Sequence, residues 1–209
     1  MLRLYKTPAL LRKLMPGYTW LKEEQTKKLY LTFDDGPIPE VTPWVLEQLA
    51  QYNAKATFFT VGDNLVKYPE VAEQALSQGH RLANHTQHHL KGWKTPLQQY
   101  LHDVAQCQQE LEKLAPAAPK LFRPPYGRIT SRQSAALRGT YELVMWDVLT
   151  NDYDKSLSQE KCLQQTLKHT QSGSIIVFHD SLKAKQNMMY ALPRFLDHFT
   201  AAGYTFETL

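Results

Sequence analysis

The sequence predicts an α/β fold, with about seven parallel strands in a distorted, incomplete (β/α) barrel or a related open sheet. Apolar segments of strand length alternate along the chain with amphipathic helical segments. Most of the strand segments are apolar on successive residues, as expected where both faces of a sheet are covered. The chain of 209 residues is 43% hydrophobic and 21% charged, which is typical of one soluble globular domain. We divide it into an N-terminal extension, residues 1–27, and a main domain, residues 28–209.

The strands are predicted from short apolar runs bounded by polar or turn-forming residues. The predicted strands are residues 29–33, 56–61, 81–84, 121–123, 142–146, 174–178 and 204–207.

The helices between them are predicted from their end signals. Thr42 is expected to cap a helix with Pro43 at its first position, and Pro69 to open the next helix. Residues 95–98 have the pattern of a capping box at the start of a long helix. Further helices are expected over residues 131–138, 159–170 and 193–202.

The charge of the chain argues against nucleic-acid binding, and its cysteine content argues against a disulfide framework. The chain carries 24 basic and 20 acidic residues, a net charge of +4 without the basic runs of a nucleic-acid-binding protein. Cys107 and Cys162 lie in predicted helices and are expected to be free thiols. We therefore predict no nucleic-acid partner and, together with the N-terminal sequence, a cytoplasmic location.

The N-terminal sequence is basic and rich in leucine. Arg12 and Lys13 interrupt its apolar run, which is too short for a signal peptide, and no later segment is long enough to span a membrane. Residues 2–20 could make weak contact with a membrane surface. Packing against the domain is the alternative that we prefer.

Polar residues follow several of the predicted strands. Asp34 and Asp35 follow the first strand, His85 follows the third, Arg123 ends the fourth, and His179 follows the sixth. Active sites gather at the carboxyl ends of parallel strands in α/β folds. The sequence therefore predicts one site built from these side chains.

Two of the segments have the chemistry of a metal site. Neighbouring side chains of a strand point to opposite faces, but the Gly-Pro pair after Asp35 breaks this geometry, so both carboxylates can face one site. A simple Asp-Gly turn is the alternative. His85 lies one helical turn from both His88 and His89, and the spacing alone does not choose between these two.

Two further segments could assist catalysis. The prolines of residues 123–127 make a rigid loop that presents Arg123 and the backbone amide of Tyr126, which suits the stabilisation of an oxyanion. An exposed connector is the alternative. His179 ends an apolar strand and could act as a general acid beside a methyl-bearing group. A histidine that only caps the strand is the alternative.

Taken in chain order, the motifs at residues 32–37, 84–89, 123–127 and 177–179 resemble those of the polysaccharide deacetylase family. This family is also called carbohydrate esterase family 4, and its domain the NodB-homology domain. The resemblance runs from about residue 28 to residue 209. It implies a metal-dependent hydrolase that removes N-acetyl groups from an acetylated sugar or glycan and releases acetate.

The resemblance also implies a role for each residue of the site, and it selects His89 over His88. It implies that Asp34 is the catalytic base, which Arg123 orients, and that Asp35, His85 and His89 are the metal ligands. It implies that His179 is the general acid, which Asp152 orients. The backbone amide of Tyr126 is implied to contact the oxyanion. Tyr153 stands where the family has tryptophan, and Val177 where leucine is usual. These two departures affect the expected shape of the acetyl pocket.

Two imidazoles and one carboxylate suit a divalent ion with open coordination positions, and zinc fits best. Cobalt, nickel or iron would accept the same donors. Two other functions remain open: an amidohydrolase of a small non-sugar amide or cyclic imide, and a glycan-binding domain that has lost catalysis. Trp93, Tyr126 and Tyr153 lie near the motifs and could stack on sugar rings.

Overall fold

The structure is a computed structural model that describes residues 3–23 and 25–209. Met1, Leu2 and Glu24, all within the predicted N-terminal extension, lie outside the described residues. The strands form one parallel sheet in the order β5-β4-β3-β2-β1-β7-β6, with β8 paired to β1, and the sheet curls into a half-barrel. The strands are β1 (Lys28–Asp34), β2 (Ala56–Thr60), β3 (Arg81–Asn84), β4 (Leu121–Phe122), β5 (Glu142–Leu143), β6 (Val148–Leu149), β7 (Ile175–His179) and β8 (Thr205–Phe206).

Helices connect the strands and cover the sheet, which confirms the predicted incomplete α/β barrel. Within the described residues, no helix is both long enough and apolar enough to cross a membrane. The helices are α1 (Ala9–Leu14), α2 (Thr42–Gln51), α3 (Gly62–Lys67), α4 (Pro69–Ser77), α5 (Leu97–Leu114), α6 (Ser131–Leu137), α7 (Gln159–His169) and α8 (Lys185–Ala201).

Aromatic rings pack against one another at the central strand β1. Phe33 of β1 stacks on Phe58 of β2 and on Phe178 of β7, with ring centroids 5.0 and 5.9 Å apart. Full burial of a phenylalanine is worth ~1.5–3 kcal/mol relative to exposure. The stacked rings therefore hold together two strands, β1 and β7, whose carboxyl ends carry predicted site residues.

One predicted strand, residues 142–146, is too long, because β5 ends at Leu143. A separate strand that was not predicted, β6, follows at Val148–Leu149, and β5 and β6 lie at opposite edges of the sheet. Val144 instead pairs with Thr19 of the N-terminal segment, and the chain then crosses to β6. A strand of two residues has no periodicity of its own, so only its tertiary partners define it.

Two predicted caps are also wrong, although their helices exist. Thr42 is the first residue of α2, and its hydroxyl donates to Asp180 Oδ2 over 2.6 Å instead of capping the helix. No side chain caps α5, so Thr95 has no capping role. A complete capping box occurs instead at the start of α6, between Thr130 and Gln133.

Helix α8 begins at Lys185 and not at Pro193, which lies inside the helix. The proline was a misleading start signal, because the buried face of α8 extends to both sides of it. The two cysteines are free and buried in helices, as predicted.

The described part of the N-terminal extension packs against both edges of the sheet. Lys6 pairs antiparallel with Val148 of β6, while Thr19 pairs with the chain just after β5. Asp147 is fully buried, and Lys6 and Arg12 form ion pairs with its carboxylate at 2.8 and 3.1 Å. Helix α1 buries none of its own residues.

Candidate active site

The loop after β1 turns two successive carboxylates toward one cavity. Asp34 ends the strand, and Asp35 has the left-handed backbone angle φ 87°, which breaks the strand alternation. The Gly36 amide donates to Asp180 Oδ1 over 3.0 Å. A Cβ atom at Gly36 would lie 1.9 Å from the Asp180 carboxylate, so only glycine fits there. Asn64 Nδ2 also donates to the Asp35 carbonyl, at 2.7 Å.

The loop after β3 brings His85 and His89 together, with ring centroids 5.1 Å apart. The segment is not helical, so the predicted helical turn is wrong. Left-handed backbone angles at Thr86 and His89, φ 68° and 54°, fold the loop back instead. His88 points away from the pair, toward Asp103.

Three ligand atoms, one each from Asp35, His85 and His89, lie within 4.8 Å of one another. The Asp35 Oδ1 atom is 3.3 Å from His89 Nε2 and 4.0 Å from His85 Nε2. His85 Nδ1 lies 2.7 Å from the Arg123 carbonyl, which can only accept a hydrogen bond. Nδ1 therefore carries the proton, and Nε2 presents its lone pair to the site.

The protonation states of these groups also fit a metal ion. Burial lowers the pKa of His85 to about 4, which keeps the imidazole neutral near pH 7. Burial by itself would raise the pKa of Asp35, but the hydrogen bond to His89 and the charges of nearby imidazoles together bring it below its usual value. A neutral imidazole and an ionised carboxylate are the forms that bind metals.

Asp103, which sequence analysis missed, fixes the histidine loop from behind. It is a buried carboxylate on the inward face of α5, and it accepts the backbone N–H groups of Gln87 and His88 at 2.9 and 3.2 Å. It also hydrogen-bonds His88 Nδ1, and this bond raises the pKa of His88. A carboxylate between the apolar positions of a helix is the signal that could have identified it.

We expect Asp103→Asn to weaken metal binding by about 10–100-fold, because removal of such supporting contacts loosens the ligands that they hold. Titration of zinc against a competing chelator measures the effect. Glu110→Gln, two turns further along the same helix, removes a carboxylate that pairs with Lys113 and not with the histidine loop, so it is the matched control and keeps the wild-type affinity. Equal affinity in Asp103→Asn and the control would show that the loop does not depend on this carboxylate.

Arg123 is fully buried and holds Asp34. Its Nη1 atom donates to Asp34 Oδ1 at 2.6 Å and to Thr32 Oγ1 at 2.8 Å, and its guanidinium lies 4.0 Å from the Phe59 ring centroid. The second oxygen, Asp34 Oδ2, lies 3.9 Å from His85 Nε2. One oxygen is thus fixed by a buried cation, and the other faces the metal-ligand cluster.

His179 ends β7, directly beside Asp34 in the sheet register. Asp152 holds it twice: Oδ1 lies 2.7 Å from His179 Nδ1, and Oδ2 accepts the His179 backbone N–H at 2.8 Å. Burial lowers the pKa of His179, but the Asp152 carboxylate outweighs this effect, aided by Asp34 and Asp35, and raises the pKa to about 9. Because Nδ1 is engaged by Asp152, Nε2 is the ring nitrogen left for a substrate.

The Arg-Pro-Pro loop presents Tyr126 at the rim of the site. Tyr126 has φ 60° and is 57% exposed, and its ring lies 4.8 Å from that of His89. Among the described residues its backbone N–H has no hydrogen-bond acceptor. A Cβ atom at Gly127 would lie 2.5 Å from Trp146, so the next residue must be glycine.

These groups surround a cavity of about 390 Å³. Six of the eight predicted site residues line it, and the other two, Arg123 and Asp152, support it from behind. Trp146, Leu149 and Val177 give the cavity an apolar wall. Among the aromatic residues considered for sugar stacking, the cavity is lined by Tyr126 and Tyr153 but not by Trp93.

Asp180 is a second supporting residue that sequence analysis missed. It is fully buried, and burial raises its pKa to about 8. The hydrogen bonds from Gly36 and Thr42 tie it to the loop that carries both site carboxylates. Its position directly after His179 was the available signal.

Comparison with known proteins places these features among deacetylases. The family model described as polysaccharide deacetylase matches residues 22–141. Two peptidoglycan-N-acetylglucosamine deacetylases of Bacillus cereus are each 35% identical to this chain; one match covers 92% of both chains, and the other 86% of this chain and 66% of the relative. A chitooligosaccharide deacetylase of Bradyrhizobium is 31% identical, over 74% of this chain and 71% of the relative.

A solved structure is also similar to this chain. The crystal structure of the Bc1960 peptidoglycan N-acetylglucosamine deacetylase, in complex with an N-oxidanyl-benzamide compound, superposes with a TM-score of 0.87 and 32% identity. The match covers 97% of this chain and 95% of that one.

Proposed function

Because the chain belongs to the polysaccharide deacetylase family, as its motifs indicated, we propose that it hydrolyses N-acetyl groups of a peptidoglycan- or chitin-like glycan and releases acetate. The observation that carries this proposal is the convergence of an Asp-His-His cluster, a second carboxylate and a histidine around one cavity. The named activities of the relatives support a sugar substrate.

Asp35, His85 and His89 would hold one divalent ion, with zinc preferred on ligand chemistry and cobalt, nickel or iron as alternatives. When bound, such an ion supplies Lewis acidity to the acetyl carbonyl and to the attacking water. The hydrogen bond from His85 Nδ1 to the Arg123 carbonyl orients this ligand before any ion arrives.

Asp34 acts as the general base. Arg123 occupies one carboxylate oxygen and leaves Oδ2 to take the proton of the attacking water. Arg123 is therefore a positioning residue for the base.

His179 acts as the general acid and donates a proton from Nε2 to the departing amine, which leaves poorly as an anion. Asp152 orients the imidazole and keeps it protonated. The Tyr126 amide donates to the oxyanion of the tetrahedral intermediate, and loss of such a donor typically costs ~2.7–4 kcal/mol. The apolar wall at Leu149 and Val177 receives the acetyl methyl group.

The two alternative functions predict different results. A silent glycan-binding domain would lack part of the catalytic set, whereas all eight predicted residues are present and together. An amidohydrolase of a small amide or cyclic imide would act on those compounds and not on sugars. The cytoplasmic location and the choice of metal stay predictions.

The test of the proposal combines metal content with a substrate panel. Protein purified without chelator should contain one equivalent of a divalent metal by elemental analysis. The metal-loaded protein should release acetate from N-acetylated oligosaccharides or peptidoglycan fragments, and leave cyclic imides intact. Little metal even after reconstitution, or turnover of imides alone, would overturn the proposal.

A further inference from the structure

A second depression adjoins the active-site cavity, and the proposed mechanism does not use it. Its volume is about 400 Å³, and Lys155, Lys183 and Lys185 contribute to its lining. We call it the lysine subsite. Lys183 also lines the active-site cavity, so this one side chain borders both spaces.

The charged side chains that line the lysine subsite are all cationic, because none of its lining residues in the described part of the chain carries a carboxylate. Asp154, the nearest acidic residue in the chain, forms an ion pair with Arg3 at 2.7 Å. Among the ion pairs of residues 3–23 and 25–209, none involves the three lysines. Three cations around one concave surface favour an anionic ligand.

The backbone adds to this preference. Helix α8 begins at Lys185, has no side-chain cap and carries no acidic residue in its first turn. Gln186 and Asn187 of that turn line the lysine subsite. The positive end of the helix dipole therefore lies at the same wall as the lysines.

The subsite also has an apolar part and a direct connection to the catalytic groups. Leu182, which is 60% exposed, and Met189 complete its lining. The Lys183 ammonium lies 5.2 Å from the centroid of the Tyr153 ring, and this ring packs edge-on against His179 at 5.0 Å. A ligand in the subsite would thus lie next to the side of the site where the amine departs.

We propose that the lysine subsite binds a carboxylate borne by the glycan, on a unit next to the sugar that loses its acetyl group. The inference rests on the proposed function and specifies its substrate: an acetylated glycan with carboxylate substituents, in preference to a neutral one. Because Lys183 belongs to both spaces, one continuous chain of sugars can occupy both. Sugar or aliphatic carbon atoms next to the carboxylate would contact Leu182 and Met189.

The test uses a matched pair of substrates with the metal-loaded full chain. One is an N-acetylated oligosaccharide with carboxylate substituents, and the other is the same compound with its carboxylates converted to carboxamides. We expect kcat/KM for acetate release to be about three- to tenfold higher for the carboxylate form at low salt, since exposed ion pairs are individually weak. Added salt should reduce this ratio.

The double variant Lys155→Gln/Lys185→Gln should bring the ratio close to one, mainly through KM. Lys67→Gln/Lys168→Gln removes the same charge from exposed lysines that line neither space, and it should keep the wild-type ratio. Calorimetry should measure the binding of both compounds to metal-loaded Asp34→Asn. Without turnover, the carboxylate form should still bind more tightly than the carboxamide form.

Equal kcat/KM values for both compounds in the wild type would overturn the lysine subsite and leave the proposed function standing. A ratio that survives in Lys155→Gln/Lys185→Gln would also overturn it, because the discrimination would then arise elsewhere. If neither compound releases acetate, the proposed function itself fails, and the substrate assignment fails with it.

Discussion

Asp34→Asn is expected to abolish acetate release and to leave the bound metal in place. The amide side chain of this variant could still contact Arg123 but could not accept a proton from water, and a general base contributes roughly 10²–10⁴-fold to a rate. Asp35→Asn should instead lower metal affinity, because Asp35 supplies the carboxylate of the three-residue ligand cluster. Acetate release and metal content, measured on the same preparations, separate the two effects.

Asp34→Asn and Asp35→Asn serve as controls for each other, because the same substitution is made at two adjacent positions. The structure assigns the carboxylates different neighbours: Arg123 for Asp34 and the imidazole of His89 for Asp35. If both variants lost metal to the same extent, this division of roles would be wrong. Full activity in Asp34→Asn would refute its role as the base.

A second large effect is expected from Asp152→Asn, in the pH dependence of the rate. The acid works only while His179 is protonated, so the rate should fall as the pH rises through the pKa of this histidine. Asp152 is the main group that raises this pKa to about 9 against the effect of burial. Without its charge, burial dominates, and the alkaline limb should move to lower pH by about 1–3 units.

The measurement is kcat/KM against pH for wild type and Asp152→Asn at constant metal content. Comparing the two profiles isolates the effect of Asp152 from other groups that titrate in the same range. Asp154→Asn is the matched control, because this carboxylate pairs with Arg3 and not with His179. An unmoved limb in Asp152→Asn would show that Asp152 does not tune the acid.

The long buried strands could be predicted from the sequence because each is a continuous apolar segment. The predicted bounds of β1, β2, β3 and β7 differ from those of the structure by one residue or less. Strand β5 was predicted too long, and β6 was not predicted. Each has two residues, and its position depends on pairing with distant segments.

The residues of the candidate site were easier to predict than Asp103 and Asp180, the buried carboxylates that hold its loops in place. Its residues belong to short motifs that follow strands, so local sequence and the topology of a parallel sheet suffice to bring them together. His85 and His89 lie together for a different physical reason from the one expected, since a loop with two left-handed residues replaces the helical turn. Asp103 and Asp180 act through contacts with segments distant in the chain, which local patterns do not encode.

The N-terminal segment has a consequence for solubility. A half-barrel that stops short of closure has two free strand edges, and exposed edges are templates for pairing between molecules. Here the chain covers its own edges: the Leu149 amide of β6 donates to the Tyr5 carbonyl, and the Thr19 amide donates to the Leu143 carbonyl of β5. Removal of residues 3–21 would expose both edges at once, with one of them leading directly into the loop that carries Asp152. By pairing with both edge strands, the segment blocks edge-to-edge aggregation between molecules. One of these edges, β6, precedes the loop whose Asp152 holds the proposed acid His179.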